Sequence, residues 1–139
     1  MRILITGGAG FTGVNFARHY LERGHEVVVL DNLSRHGGLD NLRWLRETVD
    51  DPARLEVLIE DVRLPGRAVE AAVESADLLL HFAAQVAVTT SVTDPAHDFD
   101  VNALGTFRML ELVRRSRGKR PAFFYSSTNK VYGGMEDVK

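Results

Sequence analysis

The chain has 139 residues, 45% of them hydrophobic, which suits one domain spanning residues 1–139 with a single core, and its formal net charge of −2 without any basic block argues against a nucleic-acid partner. Its apolar runs fall far short of the roughly 20 residues that cross a bilayer, and no signal peptide is visible, so neither a membrane partner nor export is expected and cytoplasmic residence is. The absence of Cys excludes disulfides and thiolate metal sites, and the five His lack ligand spacing, so no metal is expected.

Arg2 to Thr6 is a short apolar run closed by Gly7 and Gly8, which predicts a buried strand and a turn. Apolar residues then recur at three- and four-residue steps from Phe11 through Val14, Ala17, Tyr20 and Leu21, so a helix is expected that stops at Gly24. Glu26 to Leu30 predicts a second strand with Asp31 at its carboxyl end. Leu39 to Val49 predicts a helix terminated by Asp50-Asp51-Pro52, and Leu55 to Glu60 a third strand. Arg67 to Ser75 reads as a short helix, and Ala76 to Ala84 contains a strand centred on Leu78-Leu79-Leu80. Asp94-Pro95 opens one longer helix ending near Gly118, and Pro121 to Tyr125 forms a fifth strand. Near-continuous apolar strands separated by helices predict an α/β fold with a doubly wound parallel sheet covered on both faces. The polar segment from Asn129 to Lys139 has no visible partner element, so the fold is expected to be incomplete at its C-terminus.

Chemistry gathers at the carboxyl ends of these strands. Gly7, Gly10 and Gly13 open the first helix, where they permit a tight turn, a close backbone approach to a diphosphate and close packing of helix on strand. The helix start at Phe11 and Thr12 then presents free N–H groups and positive dipole to phosphate. Asp31 ends the next strand, placed to accept from both hydroxyls of a ribose and to repel a 2′-phosphate, which favours NAD; Arg35 keeps NADP open as the alternative. Asp61 and Val62 end the third strand, where the carboxylate can bond an adenine amino group and the valine can pack on the ring; an ordinary turn aspartate is the other reading of Asp61.

Further along, His81-Phe82-Ala83-Ala84, Asn102 with Gly105-Thr106, and Ser126-Ser127-Thr128 with Val131-Tyr132-Gly133 follow the glycine loop in order. This series resembles the extended short-chain dehydrogenase/reductase family of NAD-dependent epimerases and dehydratases, from Met1 to Gly134. The resemblance implies a Rossmann fold and NAD as cofactor. It implies pyrophosphate on Gly7, Gly10 and Gly13, ribose on Asp31 and Asn32 with Ser34 and Arg35 beside them, and adenine at Asp61 and Val62. The nicotinamide half is implied near Phe82, Ala83, Ala84, Val86, Asn102 and Ser126. His81 reads instead as a core histidine bonded to backbone.

Asp31 to Arg35, Asn41 to Leu45, Ala84 to Val92 and Ser127 to Gly133 are most similar to family members that epimerise a CDP-linked dideoxyhexose at carbon 2 by transient oxidation. Thr89, Thr90 and Ser91 have a simpler reading as loop caps. Thr128 stands where the family places a catalytic Ser or Thr, whose hydroxyl bonds the sugar oxygen that loses and regains a proton. The family's base is a Tyr followed four residues later by Lys. Tyr132 is followed at that spacing by Glu136, so it is not assigned this role, and the pair is expected past Lys139 with the substrate-binding lobe. The resemblance also implies a nucleotide-sugar substrate and a homodimeric parent, one of whose dimer helices matches Pro95 to Arg117. The alternatives are a 4-epimerase or 4,6-dehydratase of another nucleotide sugar, or a non-catalytic NAD-binding module.

Overall fold

The computed structural model describes residues 1–128 and residue 131. Five strands, β1 (Arg2–Thr6), β2 (Glu26–Leu30), β3 (Leu55–Leu58), β4 (Leu78–His81) and β5 (Ala122–Tyr125), lie in the order β3-β2-β1-β4-β5. All pairs are parallel, and Thr6 stands opposite Leu30 on one side and His81 on the other. Strand order reverses beside β1, because the chain winds outward to β3 and then crosses back to β4. A sheet with this switch opens a crevice at the carboxyl ends of β1 and β4.

Alternation along the strands supplies two cores. Ile3, Ile5, Val27, Val29 and Leu80 point to one face, where α1 (Phe11–Leu21) and α2 (Gly38–Thr48) cover them with Val14, Ala17, Leu42 and Leu45. Leu4, Val28, Leu30 and Leu79 point to the other, packed with Val69, Ala72 and Val73 of α3 (Arg67–Ser75) and Met109 of α6 (Thr106–Arg115). The doubly wound α/β prediction therefore holds. Near-complete burial of both faces explains why β1 and β2 read as continuous apolar runs.

Three local expectations are corrected. The third strand stops at Leu58, opposite the end of its partner β2 at Leu30, and beyond it the Glu60 side chain accepts from Gly66 N–H at 2.7 Å, satisfying an orphan amide at the start of α3. Thr89, Thr90 and Ser91 do not cap a loop; they lie in α4 (Val88–Thr93), whose Thr93 and Ser91 hydroxyls bond back to carbonyls four residues earlier. The single helix expected from Asp94 is α5 (Pro95–Phe99), a widened π-turn at Asp100–Gly105, and α6, which ends at Arg115. At the widening the Thr106 hydroxyl donates to the Asn102 carbonyl at 2.7 Å, competing with the backbone for that acceptor. Gly105 also lies so close to β3's following loop that a Cβ there would be 2.9 Å from Val62 Cγ2.

Candidate functional site

The turn after β1 is built by glycines for reasons of space. Gly7 has φ +66°, and a Cβ on it would lie 2.7 Å from Ala83 N and 2.8 Å from Phe82 C, in the gap between β1 and β4. A Cβ on Gly13 would run into the Gly7 carbonyl oxygen and come 2.5 Å from Gly8 Cα, so α1 can approach the loop only as glycine there. Gly10 is the milder case, with its Cβ direction 3.2 Å from Gly7 O. Gly8, which sequence reasoning did not assign, is equally constrained: a Cβ would sit 2.7 Å from Val29 Cγ1 and 3.0 Å from Ile5 O. The Gly7-Gly8 doublet was its only signal.

Beyond this turn α1 begins without a side-chain cap and without an acidic residue in its first turn. The N–H groups of Phe11, Thr12 and Gly13 take no partner among the described residues, leaving three donors at a positive helix end. The Phe11 side chain is 84% exposed and Thr12 is exposed, so neither fills the mouth. Bare amides in a cradle closed to any Cβ fit a diphosphate.

Asp31 faces this loop. Its Oδ2 accepts from Ala9 N at 3.0 Å and its Oδ1 from Leu33 N at 2.9 Å, the latter helping to hold Leu33 at φ +55°. Two of the roughly four acceptor positions of the carboxylate thus remain for a ligand. Ser34 and Arg35 follow on the same rim, and Arg35 has no ion-pair partner among the described residues. Asn32 is turned elsewhere: its Nδ2 donates to Asp61 Oδ2 at 2.8 Å, and its Oδ1 accepts from Ser34 N at 3.0 Å.

Asp61 is the most heavily bonded carboxylate of the rim. Oδ1 accepts from Arg63 N at 2.8 Å and Arg63 Nε at 3.0 Å, and Oδ2 from Arg63 Nη2 at 2.8 Å besides Asn32. The side-chain hydrogen bonds of Arg63, opposed by partial burial, hold its pKa well below the ordinary carboxylate range, and Asp61 in return raises that of Arg63. Arg63 also approaches His97 Nδ1 of α5 at 3.5 Å. Val62 is 6% exposed and belongs mainly to the second core, while still reaching the cavity wall. Arg63 was missed in the sequence, where only its position two residues after Asp61 hinted at a self-closing pair.

Across the crevice, Phe82, Ala83, Ala84 and Val86 leave β4 along the cavity. Asn102 acts on this segment rather than on open space: its Oδ1 accepts from Gln85 N at 2.8 Å and its Nδ2 donates to Gln85 O at 3.1 Å and Asp98 Oδ1 at 3.0 Å. His81 is buried, but its ring partners are hydroxyls, not backbone, which corrects the sequence expectation: Nδ1 lies 2.8 Å from Thr6 Oγ1 and Nε2 3.0 Å from Thr106 Oγ1. The Asn102 carbonyl can only accept, so Thr106 donates to it and its oxygen accepts from the Nε2–H of His81. Nδ1 then accepts from Thr6, whose oxygen accepts from Ala83 N at 3.2 Å. Burial pushes the His81 pKa down to about 4, in keeping with a neutral ring.

Ser126 follows β5, with its N–H on His81 O at 3.4 Å, and Thr128 is exposed beyond it. Asn129, Lys130, Tyr132, Gly133 and Glu136 lie outside the described residues. Together the carboxyl ends of β1 to β4 enclose a cavity of about 320 Å³ that brings Gly7, Asp31, Asn32, Ser34, Arg35, Asp61, Val62, Phe82, Ala83, Ala84 and Val86 to one space. Gly10, Phe11, Thr12 and Gly13 stand in and beside the loop at its mouth, while Asn102, Ser126 and Thr128 are outside its lining. Glu60, Gln85, His97 and Val101 also line it and were not anticipated. Among the described residues no group of three His, Cys, Asp or Glu is arranged to hold a metal, and no helix is long and apolar enough to cross a membrane.

The sheet order, the glycine cradle and the acidic end of β2 define a Rossmann-type dinucleotide fold of the extended short-chain dehydrogenase/reductase kind. Within it, the chain belongs to the GDP-mannose 4,6 dehydratase family, whose model matches residues 4–139. It is 41% identical over its whole length to CDP-paratose 2-epimerase of Salmonella typhi, and spans 40% of that protein. It is 39% identical to dTDP-glucose 4,6-dehydratase of Mycobacterium tuberculosis, matching 98% of this chain and 39% of the relative. The crystal structure of Thermus thermophilus UDP-glucose 4-epimerase in complex with NAD superposes on 84% of this chain and 34% of that one, with TM-score 0.65 and 37% identity.

Proposed function

We propose that the chain is the NAD-binding portion of a nucleotide-sugar epimerase, and specifically of a CDP-paratose 2-epimerase acting by transient oxidation of the sugar. The carrying observation is the 41% identity to that epimerase across the entire chain. The site supports it: free amides at Phe11, Thr12 and Gly13 for the pyrophosphate, and Asp31 with two unused acceptor positions for the ribose hydroxyls. Asp61 serves the adenine end, and the small Ala83 and Ala84 leave room for the nicotinamide end. NAD bound there supplies a hydride acceptor and donor. Thr128 is read as the hydroxyl that bonds the sugar oxygen.

No Tyr in the chain has Lys four residues on, since Tyr20, Tyr125 and Tyr132 are followed there by Gly24, Asn129 and Glu136. The chain by itself is therefore expected to bind NAD without turnover. Exposed Phe99, Phe107 and Leu110 support a homodimer of the whole enzyme through the helices that carry them. The second reading, a dTDP- or UDP-sugar enzyme of the family, is favoured by the 39% identity to the M. tuberculosis dehydratase.

Calorimetry with NAD and NADP tests the cofactor; CDP-paratose, dTDP-glucose and UDP-glucose offered to an enzyme containing this chain test the substrate. Conversion of CDP-paratose alone is expected, and conversion of either other sugar instead transfers the assignment to the second reading. Asp31→Ala should weaken NAD binding by about 1.5–3 kcal/mol through loss of a charged acceptor; unchanged affinity removes Asp31 from the ribose site. In the same enzyme Thr128→Val should lower kcat while NAD stays bound, and full activity would exclude Thr128 from proton transfer.

A further inference from the structure

The Asp61 carboxylate already receives four donors, three from Arg63 and one from Asn32, which uses its acceptor positions in full. Any amino group arriving from the cavity must displace one of them. Arg63 is the harder to move: it is charged, it grips both oxygens, and its own backbone N–H is part of the grip. Asn32 contributes one neutral donor from an exposed side chain. It is also chemically equivalent to what would replace it, because a carboxamide NH₂ and the exocyclic NH₂ of a 6-aminopurine are both planar, neutral, two-proton donors.

We propose that Asn32 holds the purine amino position on Asp61 and yields it on binding, so that Asn32 sets the degree to which the pocket separates 6-amino- from 6-oxopurine dinucleotides. This rests on the NAD reading above. Binding of a 6-aminopurine exchanges one amide-type donor for another, with no net hydrogen bond on Asp61. A 6-oxopurine keeps an N1–H on its ring but places an acceptor where the amino group would stand, which the acceptor-only carboxylate cannot bond, and so leaves Asn32 in place. With the Asn32 donor removed, the amino group instead fills a vacant position on a charged acceptor, and the oxo analogue gains nothing.

The test is calorimetric titration of the full chain with NAD and with its hypoxanthine analogue, for the unaltered protein, Asn32→Ala and Asn32→Ser. The serine variant keeps a hydroxyl able to accept from Ser34 N–H, preserving the local turn, while being too short to reach Asp61. Both variants are expected to bind NAD about tenfold more tightly and to widen the preference for NAD over the analogue by a similar factor. Weaker NAD binding in both, or a preference equal to that of the unaltered protein, overturns the inference while leaving the NAD reading intact. Failure of the unaltered protein to bind NAD overturns both.

Discussion

Gly7→Ala is expected to destabilise the chain by about 2–5 kcal/mol, the sum of left-handed backbone strain on a residue with a Cβ and of overpacking against atoms that cannot move away. The new methyl would meet the Ala83 N and Phe82 C of the β4 end, which are backbone, held in the sheet by β1 and β5. Gly37 provides the control, since it has φ +86° and nothing within 4 Å of its Cβ direction. Gly37→Ala should therefore cost only the backbone component, about 1–2 kcal/mol. Urea unfolding of the two variants separates the contributions, and equal midpoints would mean that β1 and β4 are not in contact at this turn. NAD affinity should fall for Gly7→Ala even where it remains folded, because relieving the overlap spreads the cradle.

The second large effect is on acid stability. Folding lowers the His81 pKa from 6.5 to about 4 through burial, so between these values the unfolded chain binds a proton that the folded chain refuses. The neutral ring's contribution is complete above pH 6.5, is lost progressively as pH falls to 4, and then levels off; its full extent is roughly 3 kcal/mol. Protonation at Nδ1 would also set two donors against each other at Thr6. His81→Gln should be less stable at pH 7 and should lack most of the decline between pH 6.5 and 4.5, measured as the change in urea midpoint. An undiminished decline in the variant would assign the acid sensitivity to other groups. Asp61 is separable, since its depressed pKa places its loss below the ordinary carboxylate range.

The strands were legible because a sheet buried on both faces demands uninterrupted apolar runs, as in Ile3-Leu4-Ile5 and Val27-Val28-Val29. The glycines at 7, 10 and 13 were legible because a missing Cβ is visible in sequence, whereas Gly8, crowded by Val29 and Ile5 from within the fold, was not assigned. What escaped were features decided by side chains from distant elements. The break in the helix after Asp94 comes where Thr106 donates to the Asn102 carbonyl, Asn102 reaches Gln85 and Gly105 settles on Val62, none of which alters apolar periodicity. The occupancy of Asp61 depends on Asn32 arriving from the loop after β2 as well as on its near neighbour Arg63, and a carboxylate at a strand end looks the same in sequence whether vacant or filled. His81 was legible as buried, but its partners Thr6 and Thr106 lie 75 and 25 residues away.

The series from Ala83 N–H through Thr6, His81 and Thr106 to the Asn102 carbonyl gives each hydroxyl proton one destination, so it has a direction as well as a connectivity. A bolt of this kind does not rattle: reversing any member would leave its neighbour facing a like group. The floor of the crevice is thereby tied to α6 through a threonine that no ligand needs to touch.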